Sequence, residues 1–128
     1  MPRFMNLDVW NLGMDLAVEV YKLTKEFPKQ EDLRSEIRRT SAAIPSHIAQ
    51  GAGTNNDTAF HLLLDHASSS AARLITQAIL AKRAGFITSA ESDILVDKAE
   101  HIMNSIVKLQ AKLQPKSRSG KKGVIKKK

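Results

Sequence analysis

Between Leu7 and Leu113, apolar residues recur at spacings of three and four in four successive segments, each cut off by a stop signal only a few residues long. That period collects apolar side chains on one face of an α-helix and does not fit a strand, whose faces alternate every second residue. The last segment has the clearest start. Thr88-Ser89-Ala90-Glu91 is a capping box, in which a threonine hydroxyl and a glutamate carboxylate satisfy each other's free backbone donors. Leu95, Ala99, Ile102, Ile106, Leu109 and Leu113 follow as one stripe, and Pro115 closes it. The first segment runs from Leu7 to Glu26, with Leu7, Trp10, Met14, Ala17, Tyr21 and Thr24 as the expected inward face. Leu16, Val20, Leu23 and Phe27 widen that face. Phe27-Pro28 stops the helix, because the residue before a proline is pushed out of the α region. The second segment runs from Glu31 to Gln50 with the stripe Leu33, Ile37, Ser41, Ile44 and Ile48, and Gly51 is its expected left-handed stop. The third starts at Asn56 or Asp57 and faces inward through Phe60, Leu63, Leu64, Ala67, Ala71, Leu74, Ile75 and Ala78, with Gly85 ending it.

Short connections make consecutive helices antiparallel, so the expected fold is all-α, an up-down-up-down four-helix bundle over residues 1–115. Residues 116–128 have no stripe and are expected to be a disordered basic tail. Charge separates the two parts. The net charge is +7, yet Lys116, Arg118, Lys121, Lys122, Lys126, Lys127 and Lys128 lie in the last 13 residues, which hold no acid. The other 13 basic residues balance all 13 acidic ones, so the body is neutral and the basic character belongs to the appendage. The chain has no cysteine, which excludes disulfides and thiolate metal sites. No run approaches the roughly 18 apolar residues of a membrane span, and the first residues lack the order of a signal peptide. A cytoplasmic protein with no membrane partner is the expectation.

Pro45 falls inside the second segment, where it leaves the Ser41 carbonyl without its usual donor. The stripe keeps its phase across it, so the helix is expected to continue through Pro45 with a bend. Thr40, Ser41, Ala42, Ala43, Ser46 and Ala49 are small or hydroxylated, which points to a close helix approach at a structural kink marked by Pro45 and Gly51. A ligand or partner at the kink is the alternative.

The stretch "IRRTSAAIPSHIAQGAG", together with "LDVWNLGMDLAVEVYKLTKEFP" and "SSSAARLITQAILAKRAGFI", resembles the 23S rRNA intervening-sequence proteins over residues 7–114. Four positions depart from the family pattern. Gln50 and Arg73 stand where members carry glutamate, His47 where they carry asparagine, and Thr54 where they carry arginine. The resemblance implies a non-enzymatic bundle that forms rings, often of five subunits. A related bundle is the accessory protein of diversity-generating retroelements, a basic barrel that binds nucleic acid and a reverse transcriptase. The basic tail and the changes at positions 50 and 73 lean toward that use. The function expected is a self-assembling accessory protein that binds RNA or DNA through phosphates, with a reverse transcriptase as the implied protein partner. The alternative is a structural or interaction bundle of undefined role.

Catalytic chemistry finds little to build on. His47, His61, His66 and His101 do not form the Glu-x-x-His pairs of a di-iron bundle, so no metal and no cofactor are expected. Ser68-Ser69-Ser70 reads as a close-packing helix surface, and "GAGTNNDT" lacks the Gly-Lys-Ser/Thr of a phosphate loop. Arg34 and Arg38 share a helix face. With Arg39 and Arg73 they are the candidate phosphate contacts on the bundle, secondary to the tail, against the plainer reading of a salt-bridged face.

Overall fold

The computed structural model describes residues 3–113. A 3-10 turn, Arg3–Asn6, leads into α1 (Asp8–Leu23), which ends in a second 3-10 turn, Thr24–Glu26. Then come α2 (Asp32–Ala52), α3 (Asp57–Arg83) and α4 (Ser89–Lys112). α2 packs on α1 and α3, and α4 packs on α3 and α1, so α2 and α4 lie on the diagonal of an antiparallel up-down-up-down bundle. The α1–α2 and α3–α4 connections share one end, the two-loop end, where Phe27 and Phe86 stack with centroids 5.0 Å apart. The start of the chain, the α2–α3 connection and Leu113 share the other, terminal end. The expected tail, residues 116–128, lies outside the described residues.

The helix boundaries follow local chemistry. Asn56 caps α3 by accepting from the Ala59 N–H at 2.9 Å. At α4 both halves of the capping box form, Glu91 N–H to Thr88 Oγ1 at 3.0 Å and Thr88 N–H to Glu91 Oε1 at 2.9 Å. α3 ends where Gly85 takes φ 87°, a left-handed conformation that glycine adopts at little cost. There the Phe86 N–H bonds back to the Ala81 carbonyl and the Gly85 N–H to the Lys82 carbonyl.

The core is aliphatic. Leu16, Val20, Ile37, Ile44, Ile48, Leu64, Leu74, Leu95, Ile102 and Ile106 are fully buried, with Ala67, Ala71, Ala78, Ala81 and Ala99 where helices come close. The stripes expected on α2, α3 and α4 are the buried ones. On α1 the expectation is corrected. Its buried face is Val9, Gly13, Leu16 and Val20, while Met14 and Tyr21 stay exposed. Gly13 explains the rotation. A Cβ there would stand 3.3 Å from both Cβ and Cδ of Pro45 and 3.4 Å from Cγ2 of Ile44, so α1 meets α2 through its glycine and turns its larger neighbour Met14 outward.

α2 is an unbroken helix through Pro45, and the buried proline ring packs on Gly13. The Ser46 hydroxyl donates to the Ala42 carbonyl at 2.8 Å, one residue past the carbonyl that Pro45 deprives of a donor. Gly51 corrects a second expectation. It is helical rather than left-handed, since α2 continues to Ala52 and is capped by Gly53 at φ −80°. Its lack of a side chain serves approach instead. A Cβ at Gly51 would lie 2.7 Å from Phe60 Cδ1 and 3.1 Å from Leu63 Cβ. The left-handed residue of this connection is Asn55, at φ 57°.

Pro45→Ala is expected to stabilise the bundle by about 1 kcal/mol. Restoring a helix donor and removing the ring clash is worth ~3 kcal/mol, against ~1.6 kcal/mol for two buried methylenes lost from Gly13. A lower melting temperature for the variant would show that the contact with Gly13 outweighs the helix defect.

Candidate interaction surface

The side chains singled out in the sequence fall into separate places. Arg34 and Arg38 sit in the first turns of α2, beside the end of α1, and both reach the same residue. Arg34 Nε donates to the Thr24 carbonyl at 3.2 Å, and Arg38 Nε donates to Thr24 Oγ1 at 2.7 Å. Arg38 Nη2 also donates to the Tyr21 carbonyl at 3.2 Å, and its guanidinium carbon lies 4.5 Å from the centre of the Tyr21 ring. Thr24 Oγ1 in turn donates to the Val20 carbonyl at 2.7 Å. Two guanidinium groups therefore bond a carbonyl in the last turn of α1 and one in the 3-10 turn that follows it, where helix ends favour positive charge. The signal in the sequence was Thr24, a polar residue continuing an apolar face. Its hydroxyl is the post to which α2 is tied.

Arg39 is exposed and pairs with Glu36 at 3.8 Å, the one ion pair among the described residues. Such an exposed pair contributes little to stability. Arg73 is exposed on α3. Gly51 lies against Phe60 and Leu63, and the rings of His47 and His66 stand 5.5 Å apart, so the antiparallel register puts Arg73 at the level of Arg38 and Arg39. The seven tail cations lie outside the described residues. Their chain follows Leu113 at the terminal end, whereas Arg34 is 17 residues of helix from Gly51, about 25 Å away at the two-loop end. The bundle arginines thus lie in the half of the bundle away from Leu113.

The surface between α1 and α2 was not legible as a unit. Trp10, Met14, Ala17, Ala42, Pro45, Ser46 and Ala49 line a cleft of about 360 Å3 along the seam. Met14 is 39% exposed there, and Val18 and Tyr21 of the same helix are 50% and 47% exposed. The lining is mostly apolar, and the seam reaches Arg38 toward the two-loop end. A second cleft of about 460 Å3 at the terminal end is lined by Arg3, Asn6, Leu7, Gly51, Ala52, Asn55, Asn56, Asp57, Phe60 and Leu113. Among the described residues there is no group of three or more histidines or acids placed to hold a metal. His47 Nδ1 is buried with no hydrogen-bond partner there. No described helix is long and apolar enough to cross a membrane.

These features define an all-helical four-helix bundle with a partly exposed apolar seam between α1 and α2. The chain belongs to the 23S rRNA-intervening sequence protein family, whose model matches residues 5–108. No curated protein matches the sequence. Among solved structures it is similar to a protein of unknown function from the S23 ribosomal protein family of Bacteroides thetaiotaomicron. That chain is 18% identical, with a TM-score of 0.73, and the match covers 80% of this chain and 97% of the other. At that identity the likeness is one of fold.

Proposed function

We propose that this protein is a non-enzymatic, self-assembling accessory protein that holds RNA or DNA through its phosphates. The observation that carries the reading is the partition of charge, with seven cations and no acid in residues 116–128 beside a neutral body. Such a segment attracts any polyphosphate without reading its sequence, and each phosphate neutralised releases counterions. Arg34, Arg38, Arg39 and Arg73 are secondary contacts in this reading, since two of them are already committed to the carbonyls of Thr24 and Tyr21. The exposed apolar seam supports the self-assembly, with a ring of five subunits as the expected count. A reverse transcriptase is the protein partner that the resemblance to retroelement accessory bundles supplies.

The test is fluorescence anisotropy of labelled single-stranded RNA with the full chain at rising salt. Binding at low salt that weakens steeply is expected. No binding at low ionic strength would leave the structural, non-binding bundle as the better reading.

A further inference from the structure

We propose that the α1–α2 seam receives α4 of a second copy of this chain, side by side and with both bundles pointing the same way. The proposal rests on the self-assembly part of the reading above and names its two surfaces.

The seam has a polarity. From the terminal end it runs apolar past Met14, Ala42, Pro45 and Ala49, then becomes cationic at Arg38, with Arg39 one position outward. Ala42, Ser46 and Ala49 are small enough to admit a helix closely. The diagonal side of the bundle carries the complementary pattern. Asp93, Asp97, Glu100, Asn104 and Val107 recur at spacings of four, three, four and three, so they form one stripe of α4, and all are exposed. The three acids lie toward the two-loop end, and none forms an ion pair with a described residue. Val107, at 62% exposure, lies toward the terminal end. Leu62, at 56%, stands at the same level, because Gln110 Nε2 bonds to the His61 carbonyl and to Asp65 Oδ1.

The spacings agree. Asp97 is ten residues from Val107 and Arg39 ten from Ala49, about 15 Å in each helix. With the bundles aligned the same way, Val107 and Leu62 meet the apolar half of the seam while Asp97 and Glu100 meet Arg38 and Arg39. Reversed, the acids would be buried on apolar surface without partners, which charge complementarity selects against. The two surfaces are different patches on opposite sides of the bundle, so the contact is heterologous. It propagates from copy to copy and closes into a ring when the rotation permits. All chains then present their terminal ends, with Leu113, on one side.

The experiment measures mass by light scattering at tens of micromolar for the full chain, Ala42→Arg and Val107→Lys, both exposed positions, with circular dichroism as the check on folding. The expected result is an assembly for the parent chain and monomers for each variant. An equimolar mixture of the two variants should give a one-to-one heterodimer, because each keeps the surface the other has lost. Arg39→Glu should weaken assembly at least tenfold, and Asp97→Arg in the same chain should restore it. A monomeric parent chain would overturn the self-assembly reading itself. An assembled parent with either variant still assembled, or two monomeric variants that ignore each other, would overturn this pairing alone.

Discussion

Removing residues 116–128 is expected to abolish most of the affinity for single-stranded RNA while leaving helix content and melting temperature nearly unchanged. The tail contributes all of the +7 net charge. Without it the remaining body is neutral, and long-range attraction to a polyanion disappears. With four to seven phosphate contacts per chain, a fourfold rise in salt should weaken the intact protein's binding by roughly two to three orders of magnitude. The tail-less protein should show almost no such dependence. In an assembly several tails act together, so the loss on deletion exceeds the contribution of one tail. A variant with Arg34, Arg38 and Arg73 replaced provides the comparison. It should lose less affinity than the deletion but more stability, because Arg34 and Arg38 tie α2 to the end of α1. A salt titration of all three proteins decides the matter. Equal binding by the intact and tail-less chains would move the site onto the bundle.

Gly51→Leu is the substitution expected to damage the fold most. Already a Cβ at this position would stand 2.7 Å from the Phe60 ring, 3.1 Å from Leu63 Cβ and 3.3 Å from the Phe60 Cα. The ring can swing, but the backbone of α3 cannot move without parting the two most closely packed helices. Overpacking of this kind costs up to ~3 kcal/mol or more, and the helix propensity regained by replacing glycine offsets about 1 kcal/mol. At about 3–6 °C per kcal/mol, between the values for smaller and larger domains, a net loss of ~2 kcal/mol should lower the melting temperature by roughly 6–12 °C. Gly53→Ala is the control two residues away. Its φ is −80° and an added Cβ would find only carbonyl oxygens at 3.5 and 3.7 Å, so the protein should gain about 0.4–1 kcal/mol from a stiffer unfolded chain. Thermal unfolding of the pair separates approach from conformation. A well-folded Gly51→Leu protein with unchanged melting temperature would contradict the close approach of α2 and α3.

The sequence by itself determined the number of helices, their order and most of their limits. Those depend on local chemistry, which a chain displays in its own spacing. The capping box at Thr88, the Asn56 cap and the left-handed Gly85 act within a few residues of themselves, and the stripes of α2, α3 and α4 need only a core to face. The charge of the tail is likewise a matter of composition. Tertiary structure decided what depends on a partner distant in sequence. Which face of α1 is buried was settled by Gly13 meeting Pro45, since a glycine carries no apolar signal and so the spacing favoured Met14 and Tyr21. The role of Gly51 was settled by Phe60, because a glycine needed for contact and one needed for a left-handed turn look alike in a sequence. Arg34 and Arg38 were readable as a shared cationic face, but not as donors to Thr24 and Tyr21. The stripe of Trp10, Met14 and Ala17 and the small residues around Pro45 were each visible in the sequence, but only the packing of α1 beside α2 makes them the lining of one cleft.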